Sequence, residues 1–265
     1  MKRVIITGSP RANGRSAHVA EMLFEAHIDE RPKDELFLVP ISEIEVGPCI
    51  GCNACRKPTE VTFTDDDGVE HTELRPRCVF DDDMQTVYDL LDDADELTIV
   101  SPIYFSGAPA PLKCLIDRMQ PYFWDNFAPR GKVEDGKGKA GQPGTDKAAD
   151  LVWVPRPKRP LTLHVLGEGG DPHGFDPLIS EVKSSLACAG FRLLTVYDWV
   201  GKVTEQGEIT AEADVREIAT LDDVPPKPSA GKATGEKAQR EAKPAKKQRP
   251  KLDLSKGKKG QARGK

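Results

Sequence analysis

The sequence predicts an α/β fold, a doubly wound and mostly parallel sheet of five strands. Two observations carry this. Short β-branched runs alternate with stretches of helical periodicity along the 265 residues. Polar, turn-forming loops follow the runs at residues 4–7 and 97–100, where open α/β sheets bind ligands.

The elements follow in order. Residues 3–7 form a first strand, since Val4, Ile5 and Ile6 are continuously apolar, as in a strand buried on both faces. Residues 16–29 form a helix with Val19, Ala20, Leu23 and Phe24 inward, and residues 35–39 a second strand. Residues 83–93 are helical, with Met84, Val87, Leu90 and Leu91 on one face, and the acids at 81–83 suit the helix N-terminus. Residues 97–100 form a third strand. Residues 109–119 form a helix that starts at Pro109 and turns Leu112, Leu115, Ile116 and Met119 inward. Residues 161–166 form a fourth strand. Residues 175–189 form a helix burying Leu178, Ile179, Val182, Leu186 and Ala189, with Gly190 as its C-cap. Residues 191–197 form the fifth strand.

Three segments break this rhythm. Residues 56–77 are polar and turn-rich. Residues 125–158 combine a Gly-rich charged stretch with Trp153-Val154-Pro155-Arg156-Pro157, an interface arm or lid. Residues 223–265 hold 11 Lys and 3 Arg against 4 acidic residues and almost nothing to bury, so a disordered tail is expected. The chain as a whole carries −5, which leaves −15 on residues 1–222 and +10 on the tail. The expected organisation is therefore one domain over 1–222 and a basic tail over 223–265. Such a tail would fold back loosely on the acidic domain, reach a nucleic acid or an acidic partner, or act only as a solubilising tail with no partner. No run of 18 apolar residues is present, and Met1-Lys2-Arg3 with its short apolar run is no signal-peptide core. A cytoplasmic protein without membrane contact is expected, with its six cysteines as thiols or metal ligands.

The loop after the first strand reads Gly8-Ser9-Pro10-Arg11-Ala12-Asn13-Gly14-Arg15-Ser16. A strand, a tight polar loop and a helix N-terminus make an anion site, because free N–H groups and the helix dipole both favour phosphate. Ser9, Asn13 and Ser16 add donors; Arg11 and Arg15 add charge. The loop has neither Gly-Lys-Ser/Thr nor G-x-G-x-x-G, so nucleoside triphosphate and ordinary dinucleotide sites are excluded. A flavin mononucleotide phosphate suits it. The alternative is an ordinary helix capped by Ser16 or Asn13.

The loop after the third strand reads Pro102-Ile103-Tyr104-Phe105-Ser106-Gly107. Tyr104 and Phe105 offer flat apolar surface to a ring system, and Gly107 permits close backbone approach. The alternative is a connection whose aromatics only fill core. GSPRANGRS, CIGCNAC, CVFDDDM and ADELTIVSPIYFSGAPAPLKCLIDR occur in the order found in the NADPH-dependent FMN reductase family. Within that family the chain most resembles the branch containing the iron–sulfur flavoproteins. The resemblance covers residues 1–122 well and 160–210 loosely. It implies a flavodoxin-like fold with noncovalent FMN. Ser9, Arg11, Asn13, Gly14 and Ser16 would hold the phosphate, and Pro102, Ile103, Tyr104, Phe105, Ser106 and Gly107 would line the isoalloxazine. Gly167, Glu168, Gly169 and Gly170 after the fourth strand would form a third flavin-side loop.

Cys49, Cys52 and Cys55 have C-x2-C-x2-C spacing, with Cys78 after 22 further residues. Such a triplet with a distant fourth cysteine suits a [4Fe–4S] cluster. In the iron–sulfur flavoproteins the fourth cysteine comes much sooner, so the gap reads as an insertion. Zinc in a four-cysteine site and four free thiols are the alternatives. Cys114 and Cys188 fall within helical patterns and are expected to be buried. His18 and His27 read as solvated and His164 as a core or edge histidine. His173, beside Gly169 and Gly170, is weighed as a proton donor. The acids at 65–67 and 81–83 read as solvated or helix-terminal charge. No Ser/His/Asp spacing suggests a hydrolase.

The resulting expectation is an NAD(P)H-dependent FMN oxidoreductase. Hydride passes to FMN, and electrons then pass to a quinone, nitro, azo or metal-centre acceptor, either a small molecule or a protein. No catalytic acid or base is named, because the flavin performs the redox step. The resemblance further implies a homodimer. The alternatives are an iron–sulfur flavoprotein carrying electrons without using NAD(P)H, and a non-catalytic module acting through its tail.

Overall fold

The computed structural model describes residues 1–64, 68–129, 151–153, 157–170 and 172–222. The acids at 65–67, the 130–150 stretch, residues 154–156 and the 223–265 tail lie outside the described residues.

The parallel strands are β1 (Lys2–Thr7), β2 (Glu35–Pro40), β5 (Glu96–Pro102), β8 (Arg159–Leu166) and β9 (Phe191–Asp198). They lie in the order β9-β8-β5-β1-β2. In chain order this is the 2-1-3-4-5 arrangement of flavodoxin-like sheets. The expected five-strand count needs correction. A sixth strand, β10 (Asp214–Glu217), pairs antiparallel with β9 and ends the sheet. Its four exposed residues carry no apolar alternation, so periodicity did not reveal it.

Helices cover both faces. Strand residues alternate between them, since successive side chains point to opposite sides. Val4, Ile6, Leu97, Ile99, Leu163 and Val165 pack with α2 (Met84–Asp93), α3 (Ala110–Asp117) and α5 (Asp176–Cys188). Ile5, Val100 and Leu166 face the other way, onto Val19 and Ala20 of α1 (Arg15–Glu30). Beside α1, no helix follows β9 among the described residues. Instead the segment after β9 folds back, burying Val203 and bringing Gly207 against His18. A Cβ on Gly207 would lie 2.4 Å from the imidazole Cγ, so this approach needs glycine. His18, against Gly207, and His27 are half-buried rather than solvated. Cys114 and Cys188 are half-buried as well, not fully enclosed.

The 56–77 segment is more ordered than its composition suggested. It is a hairpin of β3 (Pro58–Thr64) and β4 (Glu70–Pro76), paired from Pro58↔Pro76 outward. A short α4 (Gln120–Asp125) precedes a ribbon of β6 (Phe127–Pro129) and β7 (Leu151–Trp153), in which Trp153 pairs with Phe127. No helix among the described residues is long and apolar enough to cross a membrane.

Arg159 is a keystone of the edge opposite the loops. Its guanidinium donates to the carbonyls of Leu91 (2.9 Å), Asp92 (3.1 Å) and Ala94 at the end of α2, and of Ala189 (2.7 Å) at the end of α5. It also lies 4.0 Å from the Phe191 ring centre. One cation thus satisfies the orphan carbonyls of two helices and both of their dipoles. Arg159→Met should lower the unfolding free energy by on the order of 3 kcal/mol, read by urea denaturation at neutral pH. An unchanged midpoint would show that water caps these helices equally well.

Candidate functional site

The loops after β1, β5 and β8 leave the carboxyl ends of three adjacent parallel strands. The chain turns one way from β1 to β2 and the other way to β5, so these loops sit at the topological switch point.

The first loop is drawn tight. Gly8 N–H donates to the Val100 carbonyl (2.7 Å), which extends the β1–β5 ladder by one residue. A Cβ there would meet Leu112 of α3 at 2.6 Å, so only glycine lets the loop sit this close. The Ser9 hydroxyl is spent on shaping the turn. It accepts from Arg11 N–H (3.1 Å) and donates to the Arg11 carbonyl (3.2 Å). The residue before α1 is Gly14, in extended conformation and with no side-chain cap; neither Asn13 nor Ser16 caps the helix. The first turn also carries no acid, so its dipole is left uncompensated. Arg11 and Asn13 are exposed beside this terminus, and Ser16 is buried within it. Arg15 turns elsewhere. It donates to the Val203 carbonyl (2.9 Å) and pairs with Glu168 (3.2 Å), strapping the first loop to the third.

The second loop is a two-residue reverse turn. Tyr104 and Gly107 exchange backbone hydrogen bonds of 3.0 Å in each direction. Between them Phe105 (φ 49°) and Ser106 (φ 65°) are both left-handed. For residues with a Cβ this costs about 1–2 kcal/mol each. Neighbours hold the strain in place. Ile103 N–H donates to the Leu166 carbonyl (2.9 Å), and Leu178 N–H of α5 to the Ser106 carbonyl (3.1 Å). The turn buries Ser106 and projects Phe105 outward, 100% exposed, beside a half-exposed Tyr104. A bare phenyl ring forgoes about 1.5–3 kcal/mol of burial. Pro102 and Ile103 are half-buried at the root of the loop. In the third loop, Gly167 reaches Ile103, and Gly169 (φ 91°) and Gly170 (φ 86°) adopt turns closed to other residues. Glu168 is exposed and forms the strap to Arg15.

The cysteines occupy a neighbouring site. Cys49, Cys52, Cys55 and Cys78 line a single cavity, together with Phe80 and Arg118. The hairpin explains how Cys78 arrives there. Pairing of Pro58 with Pro76 returns the chain to its point of departure, so the insertion lengthens the sequence but not the distance. Burial first, then the charges of Cys78, Cys49 and Cys52, push the Cys55 thiol up to about 11. None of the six cysteines forms a disulfide. Among the described residues, no three His, Cys, Asp or Glu side chains converge tightly enough to hold a single metal ion.

Sequence reasoning missed two residues that build this cavity. Arg118, 1% exposed, forms a fork on Asp82 (2.6 and 2.8 Å) and donates to the Gly47 carbonyl (3.2 Å). Arg118 holds the Asp82 carboxyl below the usual carboxylate range, against its partial burial. Asp83 accepts from Glu45 N–H (2.6 Å). Asp82 and Asp83 are therefore anchors for the cysteine loop as much as helix-terminal charge. The available signal was position: Arg118 lies three residues after Leu115, on the buried face of its helix.

A model of the NADPH-dependent FMN reductase family matches residues 1–134. The chain belongs to this family. Proteins similar to it include an iron–sulfur flavoprotein of Methanocaldococcus jannaschii, 31% identical over 121 residues, covering 46% of this chain and 53% of the relative. Another, from Methanosarcina thermophila, is 34% identical over 133 residues, covering 50% of this chain and 60% of the relative. The chain thus matches little more than half the length of either. Similar solved structures include an NAD(P)H:quinone oxidoreductase from Methanothermobacter marburgensis, with TM-score 0.45 and 13% identity, covering 77% of this chain and 88% of that one. An FMN-dependent NADH-azoreductase from Bacillus anthracis in complex with FMN has TM-score 0.44 and 11% identity, covering 76% and 87%. The strand order, rather than these likenesses, establishes the fold.

The histidines divide. His173 is exposed on the third loop. His164 lies inside β8, buried, stacked on Tyr197 at 4.5 Å, and accepts the Trp199 indole N–H on Nδ1 (3.0 Å). That bond places the proton on Nε2 of a neutral ring. Burial lowers its pKa from 6.5 to about 4. The folded protein therefore resists a proton that the unfolded chain accepts. Stability from this residue is whole above pH 6.5 and declines as pH falls toward about 4. The decline should be on the order of 3 kcal/mol. Denaturation curves across this range should show a shallower loss in His164→Gln than in the parent protein.

Proposed function

We propose that this chain is an NAD(P)H-dependent FMN oxidoreductase whose redox site lies within residues 1–222. The uncapped N-terminus of α1, set beside a strained turn with a bare aromatic ring, carries the reading. When bound, FMN supplies hydride acceptance from the nicotinamide and electron release to the acceptor. The chain supplies the rest. Backbone N–H groups of the first loop and first helical turn, with Arg11, Asn13 and Ser16, would hold the phosphate. Ser9 would keep the loop in shape. The turn at 102–107 would present its amides to the ring edge and Tyr104 and Phe105 to apolar partners. The third loop, strapped by Arg15 and Glu168, would close the other side. No NTP or dinucleotide motif competes for this loop. Quinone, nitro, azo and metal-centre acceptors, small-molecule or protein, fit an open aromatic rim. A second copy of the chain covering Phe105 would give the homodimer expected from the resemblance.

Asn13→Ala with Ser16→Ala should weaken FMN binding, each lost bond costing about 1.5–3 kcal/mol, roughly tenfold or more in affinity. Fluorescence titration of flavin-stripped protein reads this directly, and unchanged affinity would remove the phosphate assignment.

A second reading has its own observation. Four cysteines around one cavity suit an iron–sulfur centre, and two similar proteins are named iron–sulfur flavoproteins. A zinc ion would draw its four sulfurs to within about 4 Å of one another, given Zn–S bonds of ~2.3 Å. The four-cysteine lining together with the relatives named iron–sulfur flavoproteins favours an iron–sulfur centre over zinc. Such a centre supplies one-electron storage, and its assembly takes the protons off thiols that otherwise resist ionising together. On this reading the chain carries electrons between partners. Anaerobic Cys52→Ser protein should lose iron and sulfide while keeping FMN. Rapid mixing of the parent protein with NADPH should bleach the flavin. A flavin that stays oxidised under NADPH, in protein with a full iron content, would make the carrier the better description.

A further inference from the structure

The guanidinium of Arg118 is satisfied at its two outer nitrogens by Asp82 and by the Gly47 carbonyl. Its Nε is buried and has no hydrogen-bond partner. A buried cationic N–H without an acceptor is costly, and its presence calls for a missing one. Arg118 lies in the wall of the cavity lined by the four cysteines. Its charge is close enough to Cys78 that a thiolate there stabilises it. Phe80, another wall residue, lies 5.1 Å from the guanidinium and shields it from water.

We propose that Arg118 is a positioning residue for the centre held by Cys49, Cys52, Cys55 and Cys78. Its Nε–H donates to a sulfur of that centre, and its charge raises the centre's reduction potential. The inference rests on the four-cysteine reading above. Reduction adds one electron, and so one negative charge, to a cavity with a dry cation in its wall. The cation favours the reduced form, and the hydrogen bond strengthens as charge builds on sulfur. Asp82, held against the same guanidinium, acts with the opposite sign. The pair therefore sets the potential from two sides: the arginine raises it and the aspartate limits the rise.

The test is a dithionite titration of full-length protein, reconstituted anaerobically with iron and sulfide and followed by electron paramagnetic resonance. The bound flavin's own potential is the internal reference. Arg118→Met should shift the cluster to more negative potential. Asp82→Asn should shift it to more positive potential, and Arg118→Lys should fall between the parent and Arg118→Met. Opposite shifts are the signature, because a merely structural role would reduce cluster content in both variants and leave the potential of the remainder unmoved. If Arg118→Met does not fold, Asp82→Asn and Arg118→Lys decide, and an unmoved potential in both overturns the proposal. Parent protein that takes up no iron or sulfide overturns the four-cysteine reading and this proposal with it. A loaded parent with unshifted Arg118→Met and Asp82→Asn overturns this proposal alone.

Discussion

The ion pair between Arg118 and Asp82 is the constraint on which the cysteine site depends. It joins three segments far apart in sequence: the loop after β2, the residues before α2, and the end of α3. Asp82 also accepts from the N–H groups of Gly47 (3.1 Å) and Met84 (3.2 Å), so one carboxylate ties together the two segments that carry the four cysteines. A buried pair of this kind adds little net stability over apolar residues of equal size. Its contribution is placement. Apart from a 3-10 turn at Ala54–Arg56, the loop from 41 to 57 has no regular structure of its own, and it takes its shape from what it is tied to.

The candidate flavin loops are organised differently. They inherit their positions from three neighbouring parallel strands, β1, β5 and β8, paired in a single register and buried on both faces. On that rigid base the protein stores strain at Phe105 and Ser106 and holds it with one hydrogen bond donated to β8 and one received from α5. Strain of this sort persists only where the surroundings over-determine it. The two sites are therefore built by opposite means. One is a stiff edge with a strained turn, and the other is an irregular loop gathered around a buried charge.

Most of the sheet and its helices were legible because their signal is local. Val4, Ile5 and Ile6 read as a buried strand wherever they occur, and Leu112, Leu115 and Ile116 mark one helical face from spacing alone. The candidate phosphate loop could be singled out for the same reason, since its turn residues, donors and helix start are contiguous. The hairpin at 58–76 was not. Its strands are polar and its stability depends on attachments such as the pairs of Arg75 and Arg77 with Asp92 (3.0 and 2.5 Å). Nor was β10, which is a strand only because β9 offers it an edge.

By itself the sequence determined the α/β alternation, the candidate flavin loops and the cysteine spacing, all properties of residues near one another in the chain. Only the tertiary structure decided what each polar group does. It spent Ser9 on its own turn, gave Arg15 to Glu168, and left α1 uncapped. It also brought Cys78 to the other three cysteines across a 22-residue gap, by pairing the two ends of a hairpin. The physical reason is that a side chain's chemistry is set by its partners. Partners such as Arg118 and Asp82, 36 residues apart, meet only when the core between them has folded.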